Sequence, residues 1–346
     1  MNRLRISIGL LMTAKEDVKE QVRRLLQAET LQRADAALES VPVTVTAARA
    51  QRSAGGIHDF YSEGDYWWAN PQDPDGPFIR RDGETNPDNF TAHRHAMIRF
   101  SQLVGDLTSA WILTGDKKYT EAAMCHIRAW FVDQETMMNP NLLYAQAIKG
   151  IATGRGIGII DTIHLIEVVQ SLRLMEAQGI IEEKELRTIR LWFSNYLTWM
   201  STHRYGINEM EAKNNHGTCW TMQAAAFALF TQNKEMIHFC RERYRTVLLH
   251  NQMAANGSFP LELERTKPYG YSLFNLDAMT TLCHLLTTPE ENLWDYTTTD
   301  GRNIEKGIAW LFPFVKDKNS WKHQPDIMFW EEWPVAHPFL LFGSIH

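Results

Sequence analysis

Apolar residues recur at helical spacing along most of the chain. The periodic stretches cover roughly residues 14–39, 89–114, 117–132, 157–177, 181–201, 217–231, 233–252 and 271–287, and each predicts an α-helix. Shorter stretches at about 301–315 and 334–344 predict two more. Stop signals lie between them: Thr114-Gly115-Asp116, Gln178-Gly179, Asn256-Gly257 and Pro289. Alternating, strand-like runs with hairpin turns are scarce. Short connections between consecutive helices make neighbours antiparallel. The expected class is therefore all-α, and a ring of helical hairpins, an α/α toroid, would hold residues 1–346 in one domain. The ring rests on the number of helices, since no fixed sequence period is present.

Two irregular stretches interrupt this pattern. Residues 52–88 are rich in Gly, Pro, Asp and Asn and carry Tyr61, Tyr66, Trp67 and Trp68. A loop of that length in a compact domain is usually functional or disordered, and its aromatics argue for function. Residues 253–270 carry Arg265, Pro268 and Tyr269 and lead into Tyr271. No low-complexity tract or linker divides the chain.

Composition narrows the function. The chain has 346 residues, of which 44% are hydrophobic, enough for a large core. Length alone would allow two domains. Twelve Trp and sixteen Phe suit sugar stacking, although most such rings belong to cores. A formal net charge of −6 argues against a nucleic-acid partner. A polyanionic ligand would then need a local basic cleft, for which Arg80, Arg81, Arg94, Arg99, Arg155 and Arg265 are candidates. Cys125, Cys219, Cys240 and Cys283 lack metal or redox spacing and read as reduced thiols. No segment is apolar and long enough to span a membrane. The start MNRLRISIGLLMTA resembles a short signal peptide, but it has no small-x-small cleavage site. Thr13-Ala14-Lys15-Glu16 reads instead as a capping box opening the first helix. The expected location is cytoplasmic, with periplasmic or secreted as the alternative.

The chemistry concentrates in Lys213-Asn214-Asn215-His216-Gly217-Thr218-Cys219-Trp220 and in Arg265 with Tyr271. Asn214, Asn215 and His216 open the helix that runs to about residue 231. Asn214 suits an ordinary N-cap. Asn215 and His216 sit where free N–H groups and the helix dipole favour an anion. Arg265 and Tyr271 flank a bend containing Pro268 and Gly270, so both can project into one cleft. A phenol titrates near ~10. A neighbouring Arg, a helix dipole and a hydrogen bond from His216 would each favour the phenolate, making Tyr271 a candidate base. Tyr269 is its local rival. An amide, an imidazole, a guanidinium and a phenol can together neutralise a sugar carboxylate, take the proton beside it and protonate a leaving oxygen. That is the equipment for β-elimination from a uronic-acid chain, and it needs no metal or cofactor.

Other motifs carry less. Gly154-Arg155-Gly156-Ile157-Gly158 has its third glycine misplaced for a dinucleotide loop and reads as a helix entry lined by Arg155. His93 and His95 point apart on a helix and lack further metal ligands. The pairs Glu262/Glu264 and Glu331/Glu332 keep a glycoside hydrolase in view, because that chemistry needs two carboxylates. Trp330 and Trp333, beside the second pair, could stack on sugar rings. A non-catalytic binder of acidic sugars would keep the aromatics without needing Tyr271.

The segments SEGDYWWANP at 62–71, NPNLLYAQAIKGIATGRGIGIID at 139–161 and KNNHGTCW at 213–220, with Arg265 and Tyr271, resemble the alginate lyase superfamily of α/α-toroid polysaccharide lyases. Within it they are most similar to polysaccharide lyase family 38. GLLMTAKEDV at 9–18 is similar to that group's usual mature start. The resemblance implies that Asn215 and Arg265 neutralise the substrate carboxylate and that His216 and Tyr271 handle the protons, without a metal. Arg155, Gln146, Tyr144 and Trp67 become candidates for holding the substrate, as do Tyr66, Asn214, His95 and Trp330. The expected partner is an acidic polysaccharide or oligosaccharide; nothing in the sequence sets an oligomeric state. In β-D-mannuronate and β-D-glucuronate, H5 and O4 lie on one ring face, so one phenol could serve both. In L-guluronate they lie on opposite faces, and His216 could be a second base. A single Tyr therefore points to mannuronan or glucuronan.

Overall fold

The computed structural model describes residues 16–335 and 337–346. The signal-like start lies outside the described residues, as do all but the last residues of the capping box and of GLLMTAKEDV. The first helices are α1 (Glu16–Leu38), α2 (Ala92–Thr114) and α3 (Lys117–Phe131), followed by α4 (Leu165–Ala177), α5 (Glu183–Thr202) and α6 (Arg204–Met210). Next come α7 (Asn215–Thr231), α8 (Lys234–Arg243), α9 (Leu249–Gln252) and α10 (Pro260–Leu263). The chain ends with α11 (Pro268–Leu286), α12 (Ile304–Lys316) and α13 (Pro338–Ile345).

Four helices form the inner wall and pack in series, α2 on α4, α4 on α7 and α7 on α11. The intervening helices lie outside: α3 packs on α2, α5 on α7, α8 on α7, and α12 and α13 on α11. This inner–outer alternation is that of an α/α toroid. Sequence explains which helices go inside. In α11 every residue but Leu285 is buried, and in α7 every residue but His216, Leu229 and Thr231. A helix that is apolar on all sides must be surrounded by protein. By contrast α3 and α5 bury one stripe and expose the other. One continuous apolar core runs from Val45 to Ile345, with Phe100 stacked on Trp130 and Phe193 packed on Phe227.

Periodicity is interrupted at three places. The 157–177 stretch opens as a 3-10 segment, Gly156–Thr162, before α4 begins. The 233–252 stretch contains a π-turn at Tyr244–Leu248, between α8 and α9. Residues Arg204–Met210 form α6, which no periodic signal marked.

The irregular segment 52–88 is pinned by two small sheets. Strand β1 (Tyr61–Glu63) pairs in parallel with β4 (Tyr144–Ala147), Tyr61 opposite Tyr144. Strands β2 (Trp67–Trp68) and β3 (Ile79–Arg80) form an antiparallel pair within the segment itself. The segment is thus held over the ends of the inner helices, where the side chains discussed next converge.

Candidate active site

Helix α7 starts at Asn215 because the Asn214 side chain accepts from the His216 backbone N–H, an Asx cap. Gly217 follows because a Cβ there would stand 2.2 Å from the Ala212 carbonyl oxygen. Helix α11 starts at Pro268, and its first free N–H groups, of Tyr269 and Gly270, donate to the buried Asp326 carboxylate at 2.9 Å each. The packing of α7 against α11 brings the two starts together. Between them lies a cavity of about 390 Å³. Its walls include Asn214, Asn215, His216, Arg265 and Tyr271 from this corner, with Gln146 and Arg155 opposite. Asp65, Tyr66, Trp67 and Arg80 come from the pinned segment, and Ile157, Ile160, Ala212 and Phe274 supply apolar surface.

Arg265 is aimed by Asp82, whose carboxylate it meets at 2.9 and 3.2 Å. Burial opposes ionisation of Asp82, but Arg265 and Arg80 overcome it and lower its pKa to about 2. The Arg265 guanidinium lies 4.4 Å over the Tyr271 ring, and its Nη2 donates to the phenol oxygen at 3.3 Å. The Tyr271 and Tyr66 hydroxyls are 2.6 Å apart. Burial pushes both phenols above their usual value, Tyr271 very far, against the pull of Arg265. Burial thus works against the expected phenolate, and Arg265 works for it. The expected hydrogen bond from His216 to Tyr271 is absent among the described residues.

His216 turns Nδ1 to Glu209 instead, at 2.6 Å. Burial disfavours the imidazolium, but Glu209, with Glu262 behind it, outweighs burial and raises the pKa above 6.5. Nε2 is the ring nitrogen left for chemistry. Asn215 is likewise held from behind. Its backbone N–H and side-chain Nδ2 donate to the two oxygens of Glu262, at 2.6 and 2.8 Å. Burial raises the Glu262 pKa, against these two donors. One amide hydrogen and the carbonyl oxygen of Asn215 have no protein partner among the described residues.

The opposite wall carries Gln146 in the left-handed backbone region, at φ 54°, uncommon for a residue with a side chain. That conformation directs its carbonyl and side-chain oxygen to Arg155, at 2.7 and 3.3 Å. Arg155 also covers the Trp67 ring, 5.8 Å from its centroid. Burial, with Arg80 nearby, lowers the Arg155 pKa to about 10.

Of the twelve residues expected to react with or hold the substrate, nine line this cavity, Tyr271, His216, Asn215, Arg265, Arg155, Gln146, Trp67, Tyr66 and Asn214, and Arg80 from the basic candidates joins them. Three do not. Tyr144 lies against Gly55, where a Cβ would stand 2.6 Å from its ring. His95 is exposed on α2 while His93 is buried. Trp330 packs edge-on against Tyr269 and under the Lys318 ammonium. Tyr269, the rival phenol, is enclosed by Trp321, Trp330 and Trp333. Among the basic candidates, Arg94 is buried in ion pairs with Asp65 and Asp161, Arg81 lies over Trp68, and Arg99 bonds the Val41 carbonyl. Glu331 and Glu332 are exposed, and Glu264 is exposed while its partner Glu262 is buried. Sequence reasoning missed Glu209, Asp82 and Asp65 as members of the site. No group of three or more His, Cys, Asp or Glu suited to a metal occurs among the described residues, and no helix there is long and apolar enough to cross a membrane.

The profile of the alginate lyase family matches residues 44–321. The crystal structure of an alginate lyase from Bacteroides ovatus superposes with a TM-score of 0.84 at 32% identity, over 92% of this chain and 87% of that one. Alginate lyase A1-III from Sphingomonas species A1 superposes with a TM-score of 0.56 at 16% identity, over 95% and 82%. A variant of alginate lyase A1-III complexed with a tetrasaccharide gives 0.58 at 14% identity, over 90% and 79%. Curated protein sequences yield no match.

Proposed function

The chain belongs to the alginate lyase family and is a polysaccharide lyase, and from that premise we propose that it cleaves β-1,4-linked uronic-acid chains, mannuronan, alginate or glucuronan, by metal-independent β-elimination. The single observation that carries this reading is the convergence of Asn215, His216, Arg265 and Tyr271 on one cavity. The continuous core supports treating the chain as one catalytic domain.

In this mechanism the uronate carboxylate lies between the free amide hydrogen of Asn215 and the Arg265 guanidinium, at the N-terminus of α7. Their hydrogen bonds strengthen as negative charge moves onto the carboxylate, which lowers the barrier to removing H5. His216, oriented by Glu209, takes H5 on Nε2. Tyr271 gives its proton to O4 as the C4–O4 bond breaks and C4=C5 forms. Each product end is then a hydroxyl or a 4,5-unsaturated uronate. The protonation states support these roles. Burial keeps the proton on Tyr271 until O4 departs, and Glu209 raises the basicity of His216.

A second assignment draws on the contact between Arg265 and Tyr271. There the phenol, deprotonated with the help of that cation, takes H5 and returns the proton to O4, while imidazolium His216 helps hold the carboxylate. This version requires H5 and O4 on one face and so favours mannuronan or glucuronan.

The test is ultraviolet absorbance of the unsaturated uronate during incubation with alginate, polymannuronate, polyguluronate, glucuronan and hyaluronan. Absorbance growth on a β-1,4-uronan supports the reading. Reducing ends without the new double bond would replace it with a hydrolase, and binding without either product with a sugar-binding protein.

A further inference from the structure

Lys267 is the residue the mechanism leaves unexplained. It immediately precedes α11 and is only 2% exposed. It is not among the residues that line the cavity. Its ammonium has no hydrogen bond or ion pair among the described residues. It lies instead 5.1 Å from the Tyr66 ring centroid and 5.1 Å from that of Phe329. Phe329 has its backbone at φ 65°, the left-handed region that a bulky residue rarely adopts. The chain thus strains one residue to place a second ring against a buried cation. Two ring faces offset only part of the cost of burying an unpaired charge. Stability alone would favour a methionine here.

The charge does have neighbours at longer range. Burial lowers the Lys267 pKa, Asp326, Asp65 and Asp82 raise it, and Arg265 lowers it. Asp326 is engaged by Tyr269, Gly270 and Trp333, Asp65 by Arg94, and Asp82 by Arg265 and Arg80. What remains on the cation are the Phe329 and Tyr66 rings, and the Tyr66 hydroxyl contacts that of Tyr271.

We propose that Lys267 is a positioning residue for proton transfer, acting through Tyr66: its ammonium, held on the Tyr66 ring face, keeps the Tyr66 hydroxyl donating to Tyr271. The inference rests on the proposed elimination. When Tyr271 gives its proton to O4, its oxygen becomes anionic for the moment before a proton returns. The Tyr66 hydroxyl can donate to that oxygen at once, and Lys267 with Arg265 places positive charge beside the pair. No atom is lost or gained in this step, because the hydrogen bond only shares the charge.

The test compares wild type, Lys267→Met, Tyr66→Phe and the double variant on a uronan that wild type cleaves. Lys267→Met should lower kcat at least about tenfold with KM nearly unchanged, since the charge acts on the transition state. In the Tyr66→Phe background Lys267→Met should add little, the non-additivity of residues acting in one chain. If Lys267→Met fails to fold, Lys267→Gln is read by the same measures. A wild-type kcat, a loss confined to KM or fully additive losses would each overturn the proposal. Absence of unsaturated product from wild type on every uronan would instead overturn the elimination itself, and Lys267 with it.

Discussion

Glu209 holds Nδ1 of His216 at 2.6 Å from a position only 1% exposed, so the imidazole is both oriented and electrostatically tuned from behind. The folded pKa is raised above the free value of 6.5. The pair's stabilising contribution is therefore complete below 6.5 and is lost as pH rises through the folded value. Catalysis by a histidine base follows the opposite course, with kcat/KM rising through that same window. Glu209→Gln should move the acid limb to lower pH, because burial then acts with less opposition, and should lower kcat. A rise that continues through the alkaline range would assign the base to Tyr271.

Tyr271→Phe removes one hydroxyl at almost constant volume. If the phenol protonates O4, turnover should fall by about 10²–10⁴ with a smaller change in KM. Tyr269→Phe should have a minor effect, because that ring is enclosed by three tryptophans away from the cavity. Initial rates on one uronan decide it. The reverse ranking of the two variants would reject this placement of the acid.

Asn215 and Glu262 form a second pair of front and support. Asn215→Ala should lower kcat by about 10²–10³, the usual loss for a donor to developing charge. Glu262→Ala strips the partner from a buried backbone N–H and should cost about 1–3 kcal/mol of stability as well. Urea unfolding and product absorbance measured on the same samples separate the two effects. A Glu262 variant that folds normally but is inactive, while Asn215→Ala stays active, would return the site to carboxylate chemistry.

Exhaustive chelation should leave the rate unchanged, since amide, imidazole, guanidinium and phenol supply each step. Dialysis against EDTA followed by the absorbance assay checks this. Loss of activity restored by one divalent ion would refute it.

Helices were legible because burial imposes a period that residue type records directly. The exceptions are physical. Arg204–Met210 is too short and too polar for a period to emerge, yet it carries Glu209. The cavity-facing residues of α7 and α11 could be found because unusual side chains cluster beside helix starts. Their supports could not. Asp82, Glu209 and Glu262 are ordinary acids in sequence, and only the fold points them at Arg265, His216 and Asn215. Tyr144, His95 and Trp330 fall outside the cavity for the converse reason. Aromatic or imidazole character is visible in sequence, but the direction of a side chain is set by neighbours such as Gly55 and Tyr269.

The proposed acid and base stand on the two most deeply enclosed helices, while Tyr66, Trp67 and Arg80 reach the cavity from a segment held by two-residue strands. This separates what must be inherited intact from what can be exchanged. The connection 69–79 between β2 and β3 is mostly exposed and can be exchanged between relatives with little disturbance to the interior, whereas Phe60, Tyr66 and Asp82 belong to the core and to the site. Grafting the reacting groups elsewhere would require moving two core helices at once. Diversification of substrate range should therefore accumulate in that connection, and library design can be confined to it.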